Sequence, residues 1–250
     1  MNTQRISLAL VVMLWACTPA DPPKSAEAAE STGAAAAASD STTASAAPAA
    51  QLDAGRGKEI GMVFEAYLSP WQEGDEEANT PNSTPSQFRS TTASLTRAQR
   101  EAAGHQAHGQ LRFTRDLSRA YVDVQVKGID LAAINMFHIH CGRPGILGPI
   151  VVDFSQATNL KDNLADGTFS VELTDGVMVK TSQSGEGAIG VATMGCVIPS
   201  PSLGSNTPLK YSTIAGLARL ARDGELYFNL HTTGQSYYGD IRGQLLPADT

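Results

Sequence analysis

Ile134-Asn135-Met136-Phe137-His138-Ile139-His140-Cys141 is the stretch on which the reading of this chain turns. Successive side chains of a β-strand point to opposite faces. Phe137, Ile139 and Cys141 then share one face, and Met136, His138 and His140 the other. A second run, Leu226-Tyr227-Phe228-Asn229-Leu230-His231-Thr232, has the same form, with Leu226, Phe228 and Leu230 opposite Tyr227, Asn229 and His231. With the apolar faces forming the core, all three histidines are expected on outward or cleft-lining faces. In Gly239-Asp240-Ile241-Arg242-Gly243-Gln244-Leu245, Arg242 alternates with Ile241 and Gly243, so its guanidinium also points away from the core. Asp240 and Arg242, two apart, are placed for a surface ion pair worth under about 1 kcal/mol.

A period of two also runs through residues 120–127, where Val122, Val124 and Val126 alternate with Tyr121, Asp123, Gln125 and Lys127, as a half-buried antiparallel strand requires. Further strands are expected at 61–68, 110–114, 150–154, 168–173 and 241–246, with a hairpin turn at 116–119. Residues 95–103 have helical composition, with Thr96 as a cap. A second helix reads from Thr207 as cap and Pro208 at the first position, through Leu209, Ile214, Leu217 and Leu220, to a stop at Gly224. Residues 69–89, rich in Pro, Asn, Ser and acids, read as an extended surface loop or insertion. The fold class is all-β: an antiparallel sandwich or barrel with one or two short helices in its connections.

The N-terminus reads as an export signal. Arg5 is the only charge before Cys17, and the apolar run 8–15 is too short to span a bilayer, which takes about 20 apolar residues. Leu14-Trp15-Ala16-Cys17 resembles a bacterial lipobox, which implies cleavage before Cys17 and acylation of its thiol; an ordinary signal peptide cut near Ala20 is the alternative. Residues 1–16 are the expected lipoprotein signal peptide, 17–57 a lipid-anchored low-complexity linker with alanines at 34–38, and 58–250 the folded domain. Thr18, in place of an aspartate after the cysteine, leans towards the outer membrane, periplasmic or surface-exposed. Loss of Arg5 takes the formal charge from −7 to −8. An acidic balance argues against nucleic acid as a partner. With Cys17 acylated, Cys141 and Cys196 remain as an even pair in an oxidising compartment, and a disulfide between them is expected. Cys141 as a metal ligand is the other reading.

The run from Phe137 to Gly142, continued in Gly148-Pro149-Ile150-Val151-Val152, together with the two later motifs at 226–232 and 239–245, resembles the signature of the CHRD domain, a β-rich module first named from chordin and common in secreted bacterial proteins. The resemblance is strongest over 137–152 and 226–246 and poor over 69–108. Asp240 stands where CHRD domains typically carry Glu, and Tyr238 where a proline usually precedes the glycine. In chordin the domain belongs to an extracellular antagonist of growth-factor signalling. The resemblance therefore implies a non-catalytic binding or structural module of the cell envelope, held to the membrane by N-terminal lipid. Loops such as 71–87 would meet a protein or glycan partner.

Two histidines at i and i+2 on a strand stand about 6–7 Å apart at their α-carbons and can converge on one metal. With His231 from a neighbouring strand, His138 and His140 make a three-nitrogen set suited to copper or zinc. The His-x-His pair bears a distant resemblance to the copper-zinc superoxide dismutase fold. That enzyme needs four copper-site histidines and further zinc ligands, whereas no histidine lies between His140 and His231, so its redox activity is not carried over. The alternative is structural: imidazoles near Asp240 or Arg242, or donating to backbone carbonyls, that pin the fold without metal. Gly142, Gly148 and Pro149 bracket a tight connection, and Gly243 suits close strand approach. No nucleophile elbow or phosphate cradle is present, and the chain reads as more binding protein than enzyme.

Overall fold

The computed structural model describes residues 59–184 and 213–248. Among these residues nine strands form two antiparallel sheets. β1 (Ile60–Leu68), β2 (Gln106–Thr114), β3 (Ala120–Lys127), β6 (Thr168–Leu173) and β9 (Leu246–Pro247) make the first, in the order β6-β3-β2-β1-β9. β4 (Ile134–Cys141), β5 (Ile150–Asp153), β7 (Leu226–Thr232) and β8 (Ile241–Gln244) make the second, in the order β5-β4-β7-β8. The expected all-β sandwich is the fold.

The alternation of the sequence decides which faces meet. Phe137, Ile139 and Cys141 of β4 and Leu226, Phe228 and Leu230 of β7 are buried against Val122, Val124, Leu111 and Phe113 of the first sheet in one apolar core. At its centre Phe137, Phe154, Phe169 and Phe228 pack with ring centroids 4.6 to 6.3 Å apart. One edge is partly sewn shut. Ser69, just beyond β1, exchanges both backbone hydrogen bonds with Arg242 of β8, at 2.9 and 3.2 Å. After buried Leu245 the chain then crosses to pair with β1 as β9.

Four short helices occupy connections among the described residues, two more than the pattern marked. α1 (Arg97–Ala102) opens with the expected Thr96, in a capping box with Gln99. α2 (Leu160–Asn163) and α3 (Asp175–Gln183) were not legible. α4 (Ile214–Arg222) is capped by Thr213, whose hydroxyl accepts from Gly216 N–H at 3.0 Å, so the cap is not Thr207; Thr207, Pro208 and Leu209 lie outside the described residues. Gly224 ends it at φ +69°, as expected.

Two further expectations are corrected. β2 begins at Gln106, so His108 and Gly109 belong to the sheet. Gly109 faces Phe228 so closely that a Cβ would meet its ring at 2.9 Å, which hid the strand from a hydrophobicity reading. Residues 69–89 are not an extended loop. They fold as three 3-10 turns (Pro70–Gln72, Glu77–Asn79 and Ser86–Phe88) and bury Glu73 and Glu77, which bond to β7 and to the loop after it. No described helix is long and apolar enough to cross a membrane.

Gly243 sits where the two sheets touch: a Cβ there would lie 2.9 Å from Leu68 Cγ and 3.1 Å from Ala66 Cβ. Gly243→Val is expected to destabilise the protein by about 1–3 kcal/mol through overpacking, read as a lower urea midpoint. An unchanged midpoint would contradict this close approach.

Candidate metal centre

The second sheet is buried on both faces, and its second face is polar. Cross-strand register sets the rows: His138 stands beside Asn229 and Arg242, and His140 beside Tyr227 and Gln244. His231 lies one alternation further along β7, opposite Met136. His138, His140 and His231 are 1, 5 and 4 % exposed, so the expectation of outward or cleft-lining faces is corrected. The turns of 70–79 and the loops 142–148 and 233–239 bond over this face. None of those coverings is readable from strand alternation.

His140 and His231 each have one nitrogen held by a backbone carbonyl and the other left over. His140 Nδ1 lies 2.8 Å from the carbonyl oxygen of Gly148, and His231 Nδ1 lies 3.1 Å from that of Ser236. A carbonyl only accepts, so each Nδ1 carries the proton and each Nε2 is left with a bare lone pair. Among the described residues neither Nε2 has a hydrogen-bond partner, although both are buried. The Nε2 of His138 lies 3.8 Å from Oδ1 of Asp153. Asp153 also accepts from Ser155 N–H and Oγ–H and from Gln156 Nε2.

The three histidines offer ligand atoms within 4.8 Å of one another. Three such points lie within about 2.8 Å of a common centre, and small ring movements reach the about 2.0–2.1 Å of a metal–imidazole bond. Two buried lone pairs cannot satisfy one another; they need a proton donor or a metal ion. Carbonyls behind the rings, as His140 and His231 have, are what metal-ligating histidines ordinarily have. The structural and metal-binding readings of these residues are thus not exclusive here.

The glycine-rich connection and Arg242 form one device. Arg242 donates from Nη1 to the carbonyl of Ile146 at 3.0 Å and from Nη2 to that of Arg143 at 2.8 Å. Its guanidinium carbon sits 3.4 Å over the Tyr227 ring, and that ring stacks on His140 at 5.0 Å. Gly148 donates its N–H to the Tyr227 hydroxyl while its carbonyl takes His140. A Cβ on Gly148 would fall on the carbonyl of Cys141, and one on Gly142 would lie 2.9 Å from that of Ile146, so both positions exclude any side chain. Pro149 supplies the carbonyl that accepts from Cys141 N–H at 2.9 Å.

Asp240 and Arg242 do not form the expected surface ion pair; both are buried and take separate partners. Asp240 receives His105 Nδ1 at 2.6 Å and the Thr232 hydroxyl at 3.0 Å. The imidazole beside Asp240 is therefore His105, outside the triad. Cys141 is buried on the apolar face of β4, away from the histidines, which removes it from the ligand set. Its expected partner, Cys196, and the lipidation residue Cys17 lie outside the described residues.

Sequence reading missed two acids that brace this face. Glu77 accepts from the N–H groups of Tyr237 and Tyr238 and from the Ser90 hydroxyl, and so holds the loop whose Ser236 carbonyl orients His231. Glu73 accepts from Asn229 Nδ2 at 2.8 Å and from Gly74 N–H. Both sit in a polar stretch with no strand or helix period, so no signal marked them. Tyr227 and Asn229, by contrast, share the face of His231 in the alternation.

Burial sets the protonation of these groups. It holds His140 down to about 3 and His231 well below the ordinary imidazole value, with the neighbouring histidines adding to the effect. It pushes Glu73 up to about 7 against the pull of Gly74 N–H and Arg242. The imidazoles contribute stability in full above pH 6.5 and lose it as pH falls towards 3. Glu73 contributes below pH 4.5 and loses its contribution as pH rises through 7. Between these limits the metal-free protein is expected to take up about one net proton on unfolding, and Glu73→Gln about two, seen as a steeper acid loss of stability in urea titrations from pH 4.5 to 6.5. Equal slopes would show that the carboxyl is ionised in the fold.

Searches of curated proteins and of solved structures found no match. The family model of the CHRD domain matches residues 91–245, which takes in both histidine motifs and every strand of the second sheet. The chain belongs to the CHRD domain family.

Proposed function

We propose that this protein is a metal-binding CHRD module of the cell envelope, carried on an N-terminal lipid, with copper or zinc held by His138, His140 and His231. The observation that carries the reading is the pair of buried, unsatisfied Nε2 atoms of His140 and His231, converging with His138 inside 4.8 Å. A non-catalytic role fits the burial of the histidines: the three residues are 1 to 5 % exposed, which favours storing or being stabilised by an ion over turning over a substrate. A bound metal would cross-link β4, which carries His138 and His140, to β7, which carries His231. A disulfide from Cys141 to Cys196 would lock β4 from its other face. Protein or glycan partners fit the outer side of residues 70–79, where Trp71 is 60 % exposed.

The test is metal content of the full chain purified from periplasmic expression, beside the His138→Ala/His140→Ala double variant. About one equivalent of copper or zinc is expected in the parent and none in the folded variant. A parent that is metal-free and also fails to take up added copper or zinc sinks the site.

The lipid anchor rests on the lipobox-like run ending at Cys17. Metabolic labelling with a palmitate analogue is expected to mark the parent and not Cys17→Ala, which moves from the membrane to the soluble fraction. Labelling that survives the substitution removes Cys17 as the anchor.

A further inference from the structure

The reading of His138, His140 and His231 as a metal site leaves open which ion it takes, and this inference rests on that reading. We propose that the site is built for monovalent copper in three-coordinate nitrogen ligation, in preference to divalent zinc.

The donor set is the first reason. Among the described residues the converging group holds three imidazoles and no carboxylate or thiolate. Asp153, whose Oδ1 lies 3.8 Å from Nε2 of His138, is not in that group and accepts from Ser155 and Gln156. Glu73 is held by Gly74 and Asn229, and Cys141 is on the opposite face of the sheet. Zinc takes four ligands, and a three-histidine zinc site completes itself with water. Divalent copper favours a tetragonal set. Monovalent copper, a filled-shell ion without directional preference, is content with three nitrogens in a plane.

Charge is the second reason. Three neutral imidazoles bring no negative charge to the ion. A fixed cation stands on the same face: Arg242, stacked on Tyr227, which stacks in turn on His140. The cost of placing an ion in a poorly polarisable interior rises with the square of its charge. A site buried to this degree, with no anion in its ligand group and a guanidinium one ring away, therefore discriminates against a doubly charged ion more strongly than a solvated one does.

The test uses the whole chain under anaerobic conditions. Monovalent copper is titrated against a chromophoric copper(I) chelator, zinc against a zinc chelator, and then the two metals against each other. X-ray absorption on the copper-loaded protein identifies the ligands. The expected result is one copper(I) that a tenfold excess of zinc leaves in place, with about three nitrogens near 2.0 Å and no sulfur. His231→Ala is expected to weaken copper binding at least about 100-fold with the far-ultraviolet circular dichroism unchanged. The parent competition decides the matter even where that variant misfolds. Zinc that displaces copper(I) at equal concentration overturns the inference and leaves the metal site standing. A copper–sulfur shell overturns it by placing the ion at a cysteine. Failure of the folded parent to bind either metal removes the inference and the site together.

Discussion

A sheet buried on both faces has to satisfy its polar side chains without bulk water, and that constraint governs the second sheet of this protein. Its apolar face is an ordinary sandwich interior, with Phe137 and Phe228 at the centre. Its other face carries His138, His140, His231, Asn229, Arg242 and Gln244, all buried. Leaving such groups without partners costs about 1–3 kcal/mol each, so every loop over this face is committed to serving them. Carbonyls of 143, 146, 148, 236 and 238 all turn inwards to accept from it. What they leave unserved includes one nitrogen on each of the three histidines.

The loops are ordered by the same bonds that they satisfy. Arg242 holds 143–146 through two carbonyls, and Gly148 at the end of that loop fixes the proton of His140. Glu77 holds 237–238, and Ser236 just before them fixes the proton of His231. In both cases a charged residue remote in sequence sets the tautomer of a histidine through a backbone segment. Preorganisation of this kind is what a rigid ligand set requires, and it explains why the glycines at 142 and 148 tolerate no side chain.

The strands were the most readable elements. Residues 120–127 and 134–141 alternate because each has one face in the core, and the expected bounds of both strands, and of 168–173, are those of the structure. The readings that failed did so for physical reasons. β2 was read four residues short because Gly109 replaces a hydrophobic residue where Phe228 presses in. The 69–89 stretch looked like a solvated loop because its buried groups are carboxylates, and burial of a carboxylate depends on donors that come from elsewhere in the chain, here Asn229 and the backbone at 237–238. Asp240 and Arg242 looked like a surface pair because spacing says nothing about what covers a face.

By itself the sequence determined the sandwich, the facing of β3, β4 and β7, the family motifs and the identity of the three histidines. Those follow from a period of two and from residue chemistry, both local. Tertiary structure alone decided that the histidines are buried and not exposed, and which nitrogen of His140 and of His231 carries the proton. It also decided that His105 and not the triad answers Asp240. These depend on loops folding over the second face from about 70, 145 and 236, and a long-range covering leaves no periodic trace in the residues it covers.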